Sequence, residues 1–296
     1  MLKLFSVLCP LCSLCETFAA VFILLFSSAV SAADAGDRSL YAGEPKVQSR
    51  SLASSMQVLD NPGFRIGYSE QHRQPLWVAF RAASVKGRPR LGPRPQHFEP
   101  DPRVKRPVSS WDYAGRKGEL DYDRGHLAPN YLIGKLYGRE GQLATFRMSN
   151  ISPQNERLNK LVWQRLEEAE VDVVAPAMQE LWVLTGPVFS GESRQLKSGI
   201  KIPDAFYRIW LDVQPSGELR ALSFIVPQKV CGTEPLSQFL SSVDEIEQRT
   251  GLDFYAELED GLEARLENRR ETTGWPLVKI DRNPPRYADK FGKLEC

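Results

Sequence analysis

Apolar residues recur along this chain in two patterns. Phe64-Arg65-Ile66-Gly67-Tyr68 alternates apolar with polar, and Leu76-Trp77-Val78-Ala79-Phe80 is a compact apolar run beyond a polar loop. Both patterns suit strands, and together they predict a β-hairpin. Further along, Leu158, Leu161, Val162 and Leu166 fall at helical spacing and predict a helix from Leu158 to about Glu170. Leu181-Trp182-Val183-Leu184 reads as a buried strand, and Ala205 to Val213 and Leu219 to Val226 read as two more, joined by the turn Gln214-Pro215-Ser216-Gly217. Ser242 and Glu245 have capping-box spacing, with Gly251 placed to end the helix they open. The segment from Gly87 to Pro107 is too rich in proline for regular structure. The expected fold class is α+β, a central antiparallel or mixed sheet with helices packed on it.

The first residues differ in kind. Lys3 gives a positive start, Phe18 to Phe26 is apolar, and Val30-Ser31-Ala32 offers small residues for cleavage, so residues 1–32 read as a signal peptide. The apolar core is short for a span of about 20 residues, though an uncleaved anchor is the alternative. Residues 33–60, rich in Ser, Ala, Gly and charge, read as a flexible lead-in, leaving 61–296 as the folded domain. Export would make the protein secreted or periplasmic, with no stable membrane association after cleavage. Cys9, Cys12 and Cys15 would leave with the leader. Cys231 and Cys296 remain, and an even pair in an oxidising compartment reads as one disulfide, two unrelated thiols being the alternative.

With 38 basic and 37 acidic residues in 296, composition alone argues for no polyanionic partner. Local clustering does: between Arg81 and Arg106 lie Lys86, Arg88, Arg90, Arg94, Arg103 and Lys105 against only Glu99 and Asp101. Such a segment suits phosphate contacts, and the lack of a groove-reading motif implies weak sequence preference. A solvated loop is the plainer reading.

Candidate chemistry sits in two clusters. Asp123-Arg124-Gly125-His126 packs a carboxylate, a guanidinium and an imidazole together, and His126 alone among the three histidines lies among polar groups able to orient it. Imidazole can take a proton from water near neutral pH. The second cluster runs from Met148 to Glu167. There Asn159, Trp163 and Glu167 share one helix face, offering an amide oxygen and a carboxylate to a hard cation such as Mg2+. An Asn and a Glu two turns apart also describe an ordinary solvated face.

Together these motifs resemble the DNA/RNA non-specific endonuclease family of the ββα-metal (His-Me finger) superfamily. The resemblance rests on Asp123-Arg124-Gly125-His126, on Asn150-Ile151-Ser152-Pro153-Gln154, on Leu158-Asn159 and on Trp163-x-x-Leu166-Glu167. It extends to Phe98 through Arg103 and to Thr250-Gly251-Leu252-Asp253-Phe254, covering roughly residues 60 to 260. It implies His126 as the general base, Asn159 as the direct ligand of Mg2+ (Mn2+ as a substitute), Glu167 holding metal-bound water, and Asn150 supporting the site. Arg103 matches an arginine that contacts phosphate, with Arg106 as its competitor, while Arg124 either touches substrate or braces the turn. The implied activity is hydrolysis of DNA and RNA to 5′-phosphorylated products, with a homodimer left open. A phosphodiesterase for small nucleotides and a non-catalytic nucleic-acid-binding protein are the competing readings; the second gives no reason for His126, Asn159 and Glu167 to occur together.

Overall fold

The apolar runs pair across the centre of the molecule. A computed structural model describes residues 39–113, 122–178, 181–191, 194–270, 272–282 and 288–291, all within one compact unit, 35–296. The signal-peptide expectation for 1–32 lies outside the described residues, as does Cys296; Cys231 is disulfide-bonded. Among the described residues no helix is long and apolar enough to cross a membrane.

The chain opens with β1 (Lys46–Val47) and α1 (Arg50–Ser55), followed by β2 (Met56–Asn61), β3 (Phe64–Ser69) and β4 (Gln74–Ala82). The expected hairpin is β3 paired with β4, with Ile66 opposite Val78 and a register shift between Gly67 and Tyr68. The lead-in expectation needs correcting, because residues 46–61 supply β1, α1 and the edge strand β2. Gln57, Asp60 and Asn61 give β2 its polar look, and an edge strand with one side open to water tolerates such residues.

β5 (Asp123–His126) pairs antiparallel with β6 (Ile151–Gln154), and the kinked helix α2 (Asn130–Thr145) is the excursion between them. A continuous helical stretch then runs through a π segment (Leu158–Trp163), α3 (Gln164–Ala169), a second π segment (Glu170–Val174) and α4 (Ala175–Ala177). Two strands followed by this site helix make the ββα unit that the sequence implied.

β7 (Leu181–Val188), β8 (Ala205–Val213), β9 (Leu219–Pro227) and β10 (Leu240–Ser241) complete a seven-stranded antiparallel sheet ordered β10-β9-β8-β7-β4-β3-β2. Side chains alternate across it. Phe206 and Trp210 of β8 pack on one face with Leu158, Val162, Trp163 and Leu166 of the site helix. Tyr207, Ile209 and Leu211 pack on the other with residues of α5 (Val243–Thr250), β11 (Leu252–Asp253) and α6 (Asp260–Glu267). The capping signals hold for α5: Ser242 Oγ accepts from the Glu245 amide at 3.1 Å, and Gly251 ends the helix with φ 68°.

One ion pair runs through the site-side core. Glu170 of the site helix and Arg208 of β8 both have fully buried side chains. Arg208 Nε and Nη2 donate to the two Glu170 oxygens at 2.5 and 2.6 Å, and Trp210 Nε1 adds a bond of 2.6 Å. Arg208→Met leaves that carboxylate buried without its cation and is expected to cost about 3 to 5 kcal/mol. Urea unfolding measures it, and a loss under about 1 kcal/mol would show that the pair does not hold the site helix to the sheet.

Candidate active site

His126 is the last residue of β5, opposite Ile151. Gly125 before it is required by close approach: a Cβ there would lie 2.0 Å from Gln154 Oε1. Three further contacts fix the histidine. Trp163 Nε1 of the site helix donates to the His126 carbonyl at 3.2 Å. Asn150 pins the turn that follows, its Oδ1 accepting from the Ala128 amide at 2.9 Å and its Nδ2 donating to the Ala128 and Thr145 carbonyls at 3.0 Å each. The ring itself sits between Phe98, 5.3 Å away between centroids, and Phe146, 4.8 Å away and edge-on. Those two rings meet because the Glu99 amide donates to the Phe146 carbonyl at 3.0 Å and the Met148 amide donates to the Glu99 carbonyl at 2.8 Å.

Each phenylalanine carries a guanidinium. Arg124 lies 5.2 Å from the Phe98 centroid and Arg94 lies 5.0 Å from that of Phe146. Both arginines line a pocket of roughly 720 Å3 together with His126, Asn159 and Glu167. Burial, and then Arg94, push the His126 imidazole down to about 3, so it is neutral at physiological pH. Its Nε2 is buried without a hydrogen-bond partner among the described residues.

Asn159 and Glu167 reach the same pocket from the site helix, but Trp163, expected on their face, packs in the core with Leu158, Val162 and Leu166, because the turn from Leu158 to Trp163 is π-helical and does not keep the α-helical alignment of positions four apart. Asn159 Nδ2 donates to Asp123 Oδ2 at 2.9 Å, and Lys160 Nζ stands 3.6 Å from the same oxygen. This bond selects the amide orientation. An ionised carboxylate only accepts, so the NH2 must face Asp123 and the amide oxygen is left for a cation. Burial raises the Glu167 carboxyl to about 8, with Arg208 opposing and Glu170 adding to the shift. A neutral amide oxygen and a carboxylate facing a wet pocket fit a hard divalent ion that keeps most of its waters.

Arg103 is not part of this arrangement, which corrects the expectation drawn from sequence. Its guanidinium donates to Asp101 Oδ1 at 2.9 Å and Oδ2 at 2.6 Å, to the Asp60 carbonyl at 2.6 Å and to Asn61 Oδ1 at 2.9 Å. Asp101 is 1% exposed and also accepts from Ser149 at 2.6 Å, so Arg103 is a clamp between the loop and the end of β2. Arg106 is likewise outside the pocket lining, donating to the Glu70 carbonyl at 2.9 Å. Arg94 stands in their place. Lys135 of α2 holds the proline-rich segment through the Arg88 and Pro89 carbonyls at 3.1 and 2.7 Å, and Arg139 bonds the Pro93 carbonyl at 2.5 Å. Arg94 belonged to the basic segment seen in sequence, and these tertiary bonds bring it beside His126.

A family model described as DNA/RNA non-specific endonuclease matches residues 45–261. The chain belongs to that family. A nuclease from Serratia marcescens is 31% identical over 200 residues, covering 65% of this chain and 73% of its own length. The mitochondrial nuclease EXOG of Danio rerio is 30% identical over 209 residues, covering 66% of this chain and 59% of its own. A solved structure of an EndoG/EndoGI complex shares the fold, with a TM-score of 0.62 at 23% identity over 74% of this chain and 90% of that one. This nuclease therefore acts on nucleic acids by hydrolysing phosphodiester bonds, in a family that depends on a divalent metal.

The placement of the arginines separates two kinds of loss. Arg94→Ala should lower the cleavage rate by about 10²-fold or more, as removal of a donor to developing charge does. Arg103→Ala should lower the unfolding midpoint and leave the folded enzyme close to wild-type activity. Plasmid cleavage run beside urea unfolding checks both, and the opposite pattern would return the phosphate contact to Arg103.

Proposed function

We propose that this nuclease cleaves DNA and RNA with little sequence preference, with Mg2+ as its metal and Mn2+ as a substitute, His126 as general base and 5′-phosphorylated products. The reading is carried by one observation: His126 and Asn159, from separate motifs, converge on a single pocket with Arg94 and Arg124.

Neutral His126 takes the proton of an attacking water. An anionic diester beside the ring favours its protonated form, so basicity rises as substrate binds. Trp163, Phe98 and Phe146 keep the ring aimed at the pocket while it does so. Asn159 would hold the cation through its amide oxygen, with the Glu167 carboxyl facing the same side of the pocket. A divalent ion bound there would supply Lewis-acid stabilisation of the phosphate and leaving oxygens. Arg94 and Arg124 offer positive charge to the phosphoryl oxygens, and backbone-directed charge reads no base sequence. Export through residues 1–32 to a secreted or periplasmic location, and pairing of Cys231 with Cys296, complete the reading; the disulfide at Cys231 supports an oxidising compartment.

Purified protein incubated with supercoiled plasmid, with RNA and with a small chromogenic diester, with and without Mg2+, tests it. Both polymers should be degraded only with the metal, and His126→Ala should lose about 10² to 10⁴-fold in rate. A lowered imidazole pKa keeps the base neutral as pH falls, so at saturating Mg2+ the acid limb of kcat/KM should lie below about pH 6. Cleavage of the small diester alone, or an acid limb at the free imidazole value, contradicts the proposal.

A further inference from the structure

On the sheet face away from the nuclease pocket, Glu267 at the end of α6 is 5% exposed. Its Oε1 has no hydrogen-bond partner among the described residues. Asp244 and Glu247, one helical turn apart on α5, point at it, and one oxygen from each of the three lies within 4.8 Å of the others. Glu247 also accepts from the Phe254 amide at 2.6 Å. Asp253 of β11 and Glu263 of α6 add to the negative field, with the buried Tyr255 beside them. The nearby cation, Lys46 of β1, acts on Glu263 and donates to the Ala256 carbonyl at 3.3 Å. Among the described residues no lysine or arginine forms an ion pair with Asp244, Glu247 or Glu267.

A buried carboxylate without a cation is costly, and here it faces two more. The donors are all oxygen, and Asp244 is exposed, so ions and water can enter from its side. Three carboxylates with one side open to water suit Ca2+, which takes six to eight oxygen ligands in a flexible shell, better than Mg2+, which demands a near-ideal octahedron and keeps several of its waters. We propose that Asp244, Glu247 and Glu267 bind a Ca2+ ion that ties α5 to α6, separately from the nuclease site. Carboxylates bind the ion only when deprotonated, so the binding test is run on the alkaline side of neutrality.

Calorimetric titration of the full chain with Ca2+ at pH 8, beside thermal unfolding, tests this. One ion per chain should bind, Asn159→Ala should retain it, and Asp244→Asn and Glu267→Gln should lose it. At a hundred times the dissociation constant the wild-type midpoint should rise by about 5 to 10 °C, and the Asp244→Asn midpoint should not move. Asp244 is exposed, so that variant keeps the test valid if Glu267→Gln fails to fold. No Ca2+ binding, binding unchanged in Asp244→Asn, or binding lost in Asn159→Ala would each overturn the proposal.

Discussion

The buried pair of Glu170 and Arg208 is the constraint on which the site geometry depends. A carboxylate and a guanidinium removed from water are stable only with matched geometry and further partners. Both are present: the contact is bidentate, Trp210 donates to the same carboxylate, and the guanidinium lies 5.0 Å from the Trp163 ring centroid and 5.6 Å from that of Phe80. These contacts fix how the site helix is rotated against β8. With the rotation set, Trp163 meets the His126 carbonyl, and Asn159 and Glu167 fall on the pocket side.

Two neighbouring choices then divide the chemistry. Asp123 orients the Asn159 amide and shares its charge with Lys160, so its carboxylate is occupied by these two side chains. The two phenylalanines beside His126 exclude water from the ring and seat Arg94 and Arg124 above them. One pocket thus presents positive charge for phosphate and oxygen donors for a cation without pairing the two sets to each other.

Much of this was legible in the sequence because it is local. Asp123 through His126 lie on one strand, Asn150 stands just before its partner strand, and Asn159 and Glu167 follow one another along one continuous helical stretch, whereas Trp163 turns to the leucine side because a π turn precedes it. The strands from Leu181 onward, the hairpin of β3 and β4, and the cap at Ser242 were readable for the same reason. What sequence did not carry was set by tertiary bonds. Arg94 and Arg103 look alike in a proline-rich stretch, and the difference is Arg139 holding Pro93 on one side and buried Asp101 holding Arg103 on the other. The strand at Met56–Asn61 was obscured by polar residues that an edge position tolerates. The two π segments carry no periodic signature distinct from an α-helix over so few residues.

In the proposed reading the base and the metal ligand are separate residues brought together by the fold. A Mg2+ titration of plasmid cleavage for wild type, Asn159→Ala and His126→Ala, with binding followed by calorimetry, separates their roles. His126→Ala should bind the ion as wild type does and turn over poorly, while Asn159→Ala should need far more Mg2+ or fail to respond. Full activity in chelator, or the same Mg2+ dependence in Asn159→Ala as in wild type, would contradict it.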